Sequence, residues 1–554
     1  MFKWLKSGSP WIWLTGGAVS VSLLSVLGLL LLIGWQGLSY FWPAPLYAWQ
    51  TTSGETVVGQ LYAREAIPIN HLVEMDRPLP ESVIEQGKVD RLNIKVANRD
   101  RFPADFVSLL GSDVISRDQP SGWVVIERLH DGDFFGKPIA YINQSSQGKA
   151  RVQDEEAIQA QLEQGLESAR QWREAIQKVT DKEIRIIGGL SEKLRLEHRR
   201  RELNHRLDAN YQADYEQHQA QFAEQIQIAE AKVNQLRHQL QQEILLVEDM
   251  YGQQQAIALS DILDVWYPND MNILEKIGQW GIQIGKFLAD NPRESNSEGG
   301  VFPAIFGTVL LVILMSIIVM PLGILVAVYL HEYARHRLLT RLIHIAVINL
   351  AGIPSIVYGV FGLGFFVYTV GGSLDALFYS ERLPTPTFGT PGLLWSALTL
   401  AMLTLPVVIV ATEEGLSRVP PSVRHGSFAL GATQFEAIWH IVLPMASPAM
   451  MTGLVLAVAR AAGEVAPLML VGAVKLASSL PIDSQFPFLH LERKFMHLGF
   501  HIYDTGFQTA NIEAARPLVY ATSLLLVVVI VVLNLTAIRI RNNLREKYRL
   551  LEQD

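Results

Sequence analysis

Six stretches of this chain are apolar over roughly 20 residues or more, the length a helix needs to cross the hydrocarbon of a bilayer. They lie near 12–38, 303–330, 342–370, 391–412, 448–473 and 516–538. A backbone in lipid must satisfy its own hydrogen bonds, so each stretch is read as a helix. The predicted fold class is an α-helical polytopic membrane protein with six spans. A mean hydropathy of +0.20 fits membrane spans, whereas 18% charged residues is high for a chain that is all membrane. The polar sequence is concentrated between the first two stretches, which makes it a mixed α/β plus helical-hairpin insert. A net charge of −8 argues against general nucleic-acid binding. The absence of cysteine removes disulfides, thiolate metal sites and cysteine nucleophiles.

The first stretch follows Lys3 and Lys6 and could be a signal peptide. Its apolar run is longer than a typical signal core, and no small-x-small cleavage site follows, so a membrane anchor is expected. Trp11, Trp13 and Trp35 read as interfacial anchors. Orientation follows from Lys and Arg near span ends. Arg335, Arg337 and Arg341 lie between spans two and three, Arg418 and Arg424 between spans four and five. Arg539, Arg541, Arg545, Lys547 and Arg549 follow span six. With six spans, these regions share a side with Lys3 and Lys6. Both termini are then cytoplasmic and the insert, 43–300, is extracytoplasmic.

Within the insert, Glu55–Leu61 (ETVVGQL) and Gly122–Arg128 (GWVVIER) read as strands. Leu129–Gly136 (LHDGDFFG) is turn-rich around Asp131–Gly132; Asp131 and Asp133 could be metal ligands, but no complete ligand loop surrounds them. Residues 152–250 read as helical. Phe222, Ile226, Ala229, Val233, Leu236, Leu240 and Val247 follow a heptad seam. An earlier helix carries Ile158, Leu162 and Leu166, and Gly188–Gly189 offers a break between the two, giving an antiparallel hairpin. The seam packs within the hairpin or recruits a partner helix. His198–Leu203 (HRRREL) reads as a solvated charge run, and Asp290–Gly300 as a flexible linker into span two.

Two features in the second half of the chain carry chemistry. Pro420–Pro421 ends one segment and starts a short helix over Ser422–Leu430. Gly431 permits a turn, Thr433 caps a second short helix carrying Phe435, Ile438 and Trp439, and Leu443–Pro444 begins the return into the membrane. Such a projection can dock in a cleft of a partner; the alternative is an ordinary interfacial loop. Arg460 and Glu464 stand at i and i+4 in span five. Charges at that depth cost several kcal/mol unless paired or hydrated. Their guanidinium and carboxylate can pair. They form either a structural ion pair or an anion site, since a guanidinium donates bidentate bonds to phosphate and similar oxyanions. Pro467 bends the helix beyond them.

In span three, Asn349–Phe366 contains Pro354, which interrupts the helical ladder. Ser355 and Tyr358 can satisfy the freed groups, and Gly352, Gly359, Gly362 and Gly364 allow close helix approach. Thr308 and Pro321–Gly323 in span two invite the same readings, tight packing or a broken helix lining a path. Glu413 and Glu414 are interfacial. No nucleotide-binding loop of the G-x-x-x-x-G-K-S/T kind is present. Ser427 and Ser447 lack a hydrolase constellation, and His331 and His336 lack metal-ligand company. No cofactor is expected, and active transport would draw its energy from an ATPase partner.

Ser422–Pro444 resembles the EAA loop of ABC-importer permeases. Gly431, Ile441, Leu443 and Pro444 match in register, while the triplet itself is His425–Gly426–Ser427, which removes a charge common on that loop. Together with ARAAGEVAPL, PLGILVAVYL and NLAGIPSIVYG, residues 303–540 resemble the PstA-type permease of the phosphate ABC importer. The insert and His497–Gln508 (HLGFHIYDTGFQ) resemble a subgroup with an enlarged N-terminal region. The resemblance implies a type I ABC-importer permease fold in a bacterial inner membrane. It implies a heterodimer with a PstC-type permease, two PstB-type ATPases and a PstS-type phosphate-binding protein. It assigns Arg460 to anion passage and Glu464 to orienting it or gating. It assigns Arg424, His425, Gly426, Ser427, Gly431, Ala432, Ile441, Leu443 and Pro444 to ATPase coupling; Pro354, Ser355, Gly359 and Pro467 are read from the residues themselves as packing or hinge positions. The expected organisation is an anchor helix (1–42), a mixed α/β region (43–150) and a helical hairpin with linker (151–300). A permease domain follows (301–541, coupling loop 413–446), and then a tail (542–554). The alternatives are a permease for another oxyanion, or a membrane-anchored sensor or scaffold acting through the coiled insert.

Overall fold

The computed structural model describes residues 9–68, 88–99, 105–144, 150–293, 298–334, 338–509 and 512–551. Lys3, Lys6, Arg335, His336 and Arg337 lie outside them. The chain forms two compact units, Phe41–Phe287 and the remainder on either side of it.

The unit Phe41–Phe287 is built on two antiparallel sheets. The strands of the first are β1 (Leu46–Thr51), β2 (Thr56–Pro68), β3 (Lys88–Lys95), β4 (Phe106–Leu110) and β5 (Val114–Asp118), in the order β4-β3-β2-β1-β5. Trp49 stands opposite Val57, and both are buried with Ile94 and Val96. The second sheet contains β6 (Val124–Arg128), β7 (Phe134–Asn143), β8 (Ala150–Val152), β9 (Glu243–Glu248), β10 (Gln254–Ala258) and β11 (Ile262–Trp266). Its order is β10-β9-β7-β6-β11, with β8 on β7. The alternating runs read from the sequence are β2 and β6. Asp131 (φ 62°) and Gly132 (φ 70°) make the turn before β7, and Asp133 pairs with Lys95 at 2.6 Å. Leu46, Ala97, Val125 and Phe135 join the two sheets in one apolar cluster.

Between β8 and β9 the chain leaves the sheets as a helical arm. Glu155–Val179 runs through a π-helical turn, Thr180–Ile184, into Arg185–Leu203, and Ala209–Leu240 returns antiparallel. Ile158 and Leu162 bury against the second sheet, and Val179 packs on Ala229 and Val233. The seam thus packs within the hairpin. Two expectations fail here. Gly188 and Gly189 lie inside an unbroken helix, and the reversal falls at 204–208, where His205 takes φ 52° and Asp208 caps Tyr211 N at 2.7 Å. A glycine costs a helix about 1 kcal/mol, too little to end one held by a pairing helix. The seam also stops at Leu240. Val247 is buried in β9, because the short run Glu243–Glu248 pairs on both edges.

Among the described residues, the other unit holds six helices long and apolar enough to span: Trp11–Ser39, Phe302–Tyr333, Ser355–Phe378, Leu393–Ser417, Gln434–Gly463 and Ala515–Asn543. Span four is the centre. Leu393, Ala397, Leu400 and Val408 pack on Leu311, Met315 and Val319 of span two and on Ala457, Ala461 and Ala462 of span five. Small residues set these crossings, as expected where lipid supplies no hydrophobic drive between helices. A Cβ on Gly323 would fall 2.5 Å from Val408, and one on Gly453 2.8 Å from Ala411. The expected flexible linker is closed on itself, since Pro292–Arg293 pairs with Glu298–Gly299 and Asp290 accepts from Phe302 N at 3.3 Å.

Spans three and five are shifted from their expected positions. Leu338–Leu350 is a separate helix, the chain turns through 351–354, and span three begins at Ser355 after Pro354. Span five begins at Gln434. The second short helix runs without interruption through a π-helical turn, Ile438–Val442, into Leu443–Gly463, so Leu443–Pro444 is no joint. Pro444 stands in the first turn of that helix segment, where its missing N–H is tolerated.

Candidate functional site

Two groups of polar residues organise the membrane unit, one at each end of span five. The first begins where span four ends at Ser417. Pro421 opens a helix to Ala429, Gly431 (φ +90°) turns the chain, and a capping box between Thr433 and Glu436 starts the helix that becomes span five. A left-handed φ at Gly431 is the geometry that favours glycine there.

Arg424 faces into the protein. Its guanidinium donates to Leu416 O at 2.7 Å, Val419 O at 2.9 Å and Glu332 Oε1 at 3.0 Å. The first two are terminal carbonyls of span four and its exit, and Leu416 O also accepts from Val419 N at 3.3 Å. Glu332 belongs to the last turn of span two, and its carbonyl also accepts from Gln434 Nε2 at 3.3 Å. The loop is thereby fastened to spans two and four, and it is continuous with span five. Ser427 is buried and donates to Arg424 O at 2.8 Å. Val442 packs with Ala327, Leu416 and Ala446 beneath, next to Leu443, while Ile441 and Pro444 are half-buried. What faces outward is His425, Gly426, Phe428 and Leu430, then Gly431, Phe435 and Trp439, with Ala432 half-buried at the turn. Phe435 and Trp439 stack at 6.2 Å. The triplet His425–Gly426–Ser427 therefore divides, with Ser427 inward and the other two outward.

The second group lies at the other end of span five. The helix stops at Gly463, Glu464 is extended, and a new short helix, Ala466–Val471, starts with Pro467 in its first turn. The expected bend is thus a full break, two residues earlier than Pro467. Arg460 Nε lies 3.5 Å from Glu464 Oε1, with side chains 34% and 19% exposed. Among the described residues this is the guanidinium's one polar contact, which leaves donors to spare.

Span three closes on this break. A Cβ on Gly359 would lie 2.8 Å from Pro467 Cα, and one on Gly362 2.3 Å from Thr399 Oγ1. Gly359 and Pro467, two of the proposed hinge positions, are in direct contact. Gly352 and Gly364 make no such approach. Tyr358 donates to Leu350 O at 2.7 Å, satisfying a carbonyl freed at the turn before Pro354, while Ser355 simply opens the helix.

Other polar residues complete this region, three of them within the motif His497–Gln508. Asp375, buried in span three, accepts from Phe388 N at 2.9 Å and Gly389 N at 2.7 Å. Lys475 pairs with the buried Asp504 at 3.1 Å. His497 and His501 are buried, and burial pushes both pKa values down to about 4. Asp483 is held by Arg493 at 2.7 Å and His490 at 3.0 Å. The signal that could have marked Asp375 was present, an acid inside an apolar run.

Residues 319–550 match the family described as binding-protein-dependent transport system inner membrane component. The phosphate transport system permease protein PstA 1 of Mycobacterium tuberculosis is 33% identical over 244 residues, covering 44% of this chain and 71% of that protein. PstA of Yersinia pestis is 31% identical over 257 residues, covering 46% and 77%. The inward-facing MetNI methionine ABC transporter aligns at 19% identity and a TM-score of 0.31, covering 44% of this chain and 94% of that one.

Proposed function

The chain belongs to the PstA-type permeases of ABC importers, and from that membership we propose that it forms half of a phosphate path driven by a separate ATPase. It is a multi-pass inner-membrane transport subunit. In this reading both termini and the loop after span four are cytoplasmic, with Arg418, Arg424, Arg539 and Arg541 on that side. The unit Phe41–Phe287 is then extracytoplasmic. The partners are a PstC-type permease, PstB-type ATPases and a PstS-type phosphate-binding protein.

The outward residues of the loop, from His425 to Leu430, are where the ATPase engages. Arg424 serves coupling from within: by holding Glu332 and the end of span four, it makes three spans follow the loop. Motion then reaches the break at Glu464, where the packing of Gly359 on Pro467 lets spans three and five shift against each other. Arg460 offers its free donors to phosphate, and Glu464 holds the guanidinium when phosphate is absent. A dianion displacing Glu464 from Arg460 would exchange one partly exposed contact for a bidentate one.

The observation that carries this reading is the Arg460–Glu464 pair, a guanidinium at a helix break with a single 3.5 Å contact. Phosphate uptake by cells carrying Arg460→Gln tests it. Uptake is expected to fall by about tenfold or more, one lost charge-assisted bond at roughly 1.5–3 kcal/mol. Near-normal uptake at normal protein level would sink the anion role. Arg460→Lys, which keeps the charge but loses the planar fork, should fall between the two.

A further inference from the structure

The helix Ile273–Ala289 is inside out for a helix of a soluble domain. Two of its polar side chains, Gln279 and Lys286, turn into the protein, while Glu275 in the first turn is exposed. Gln279 is buried and donates to Asp264 at 3.1 Å, and the Lys286 ammonium lies 2.9 Å from Glu127 and 2.7 Å from Asp264. Burial works against that ammonium, but the two carboxylates outweigh it and hold its pKa above the ordinary lysine value. Five large apolar side chains turn outward: Ile273, Leu274, Ile277, Ile282 and Leu288 are 73, 80, 49, 52 and 39% exposed, whereas Phe287 is buried.

At about 100° per residue these five fall within one half of the helix circumference, a half that carries no polar residue. Gly278, Gly281 and Gly285 share it, and a Cβ on any of them would meet nothing within 4 Å. Leaving such a face in water forgoes the gain of burying five large apolar side chains. The C-terminal end of the helix is tied to both points where the chain meets the bilayer. Asp290, the next residue, accepts from the N–H of Phe302, where span two begins. Phe287 packs at 5.1 Å on Phe41, two residues beyond the end of span one. Tyr40, Trp42 and Phe302, all exposed, stand at these same span ends, as aromatic residues do at headgroup depth.

We propose that Ile273–Ala289 lies in the membrane interface with its Ile and Leu face in lipid, fastening the β-domain to the bilayer. The face is continuous in sequence with two spans and carries no charge for a protein or an anionic headgroup to read. Binding by such a face follows its apolar area and is insensitive to salt. The inference holds for either sidedness of the chain and for any transported substrate.

The chain has no cysteine, so single cysteines report without background. Nitroxide labels would be placed at Leu274→Cys and Ile282→Cys in the full chain, reconstituted in phosphatidylcholine bilayers. They are expected to show an oxygen-to-nickel-chelate collision ratio several-fold above that of a label at Ile115→Cys, 68% exposed on β5. Ratios equal to that of Ile115→Cys would place the face in water and overturn the proposal. Exclusion of both relaxants would place it against protein and overturn it equally. Adding Ile277→Glu to the Leu274→Cys chain should lower the ratio towards the Ile115→Cys value, and an unchanged ratio would also count against lipid contact.

Discussion

Two arginine–glutamate pairs, at opposite ends of span five, use the same chemistry for different ends. Arg424 meets three acceptors at 2.7–3.0 Å and is mostly buried with Glu332. Arg460 meets Glu464 once, at 3.5 Å, and is a third exposed. A guanidinium held by three acceptors in a low-dielectric setting, its Nε buried without a partner, is a fixture whose carboxylate cannot be removed without leaving a buried charge. One with donors unused and water within reach is available to a ligand. Residue type is the same in both; the number of acceptors held and the exposure separate clamp from candidate site.

The contrast can be broken most directly at the clamp. Glu332→Ala is expected to destabilise the protein by about 3 kcal/mol or more, read as a loss of thermal stability in detergent. Arg424→Lys should rescue little, since one ammonium cannot serve two carbonyls and a carboxylate in that geometry. Acid probes a third buried polar site. His497 and His501 titrate near 6.5 when unfolded and near 4 when folded, so the unfolded chain binds more protons between those values. Stability is full above about pH 6.5 and declines as pH falls towards 4, by roughly 3 kcal/mol per histidine. His501→Gln should flatten part of that decline. Gly359→Ala, with its Cβ 2.8 Å from Pro467, should cost about 1–3 kcal/mol by overpacking and slow uptake as well. Thr433→Ala removes one side of the capping box and should cost about 1 kcal/mol. The smallest stability change is expected at the second pair. Glu464→Gln should move stability by no more than about 1 kcal/mol, the range for an exposed ion pair, while altering phosphate uptake. A loss matching that of Glu332→Ala would erase the distinction between the pairs.

Spans one, two, four and six were legible to within a few residues, because each is a single apolar run whose ends are marked by polar sequence. Spans three and five were displaced for a common reason. Apolar sequence continues on both sides of Pro354, so hydropathy alone could not show that Leu338–Leu350 is a separate helix. In span five Pro444 and Pro448 suggested a start that the structure does not make. Pro448 lies inside the helix, and Pro444 follows a wide turn that tolerates the missing donor. In the insert, β9 to β11 are five or six residues each, and a helical seam that ended in a valine of the right spacing concealed the first of them. At the site, Arg460 and Glu464 stood out as charges in an apolar run. Glu332 did not, since it sits among His331, Tyr333 and Arg335, where charge looks like ordinary loop. Its role depends on a partner 92 residues away, a separation no local pattern encodes.

The uninterrupted helix from Gln434 to Gly463 has a mechanical consequence. Thirty residues make a rod about 45 Å long, with Thr433 capping one end and the Arg460–Glu464 break at the other. A rod without a joint cannot fold to absorb a displacement; it pivots or slides. Pivoting by about 10° around Gly453, which lies on span four about two-thirds of the way along, would carry the Thr433 end roughly 5 Å and the other end roughly 3 Å in opposite directions. What closes at one face of the membrane would open at the other, by leverage alone.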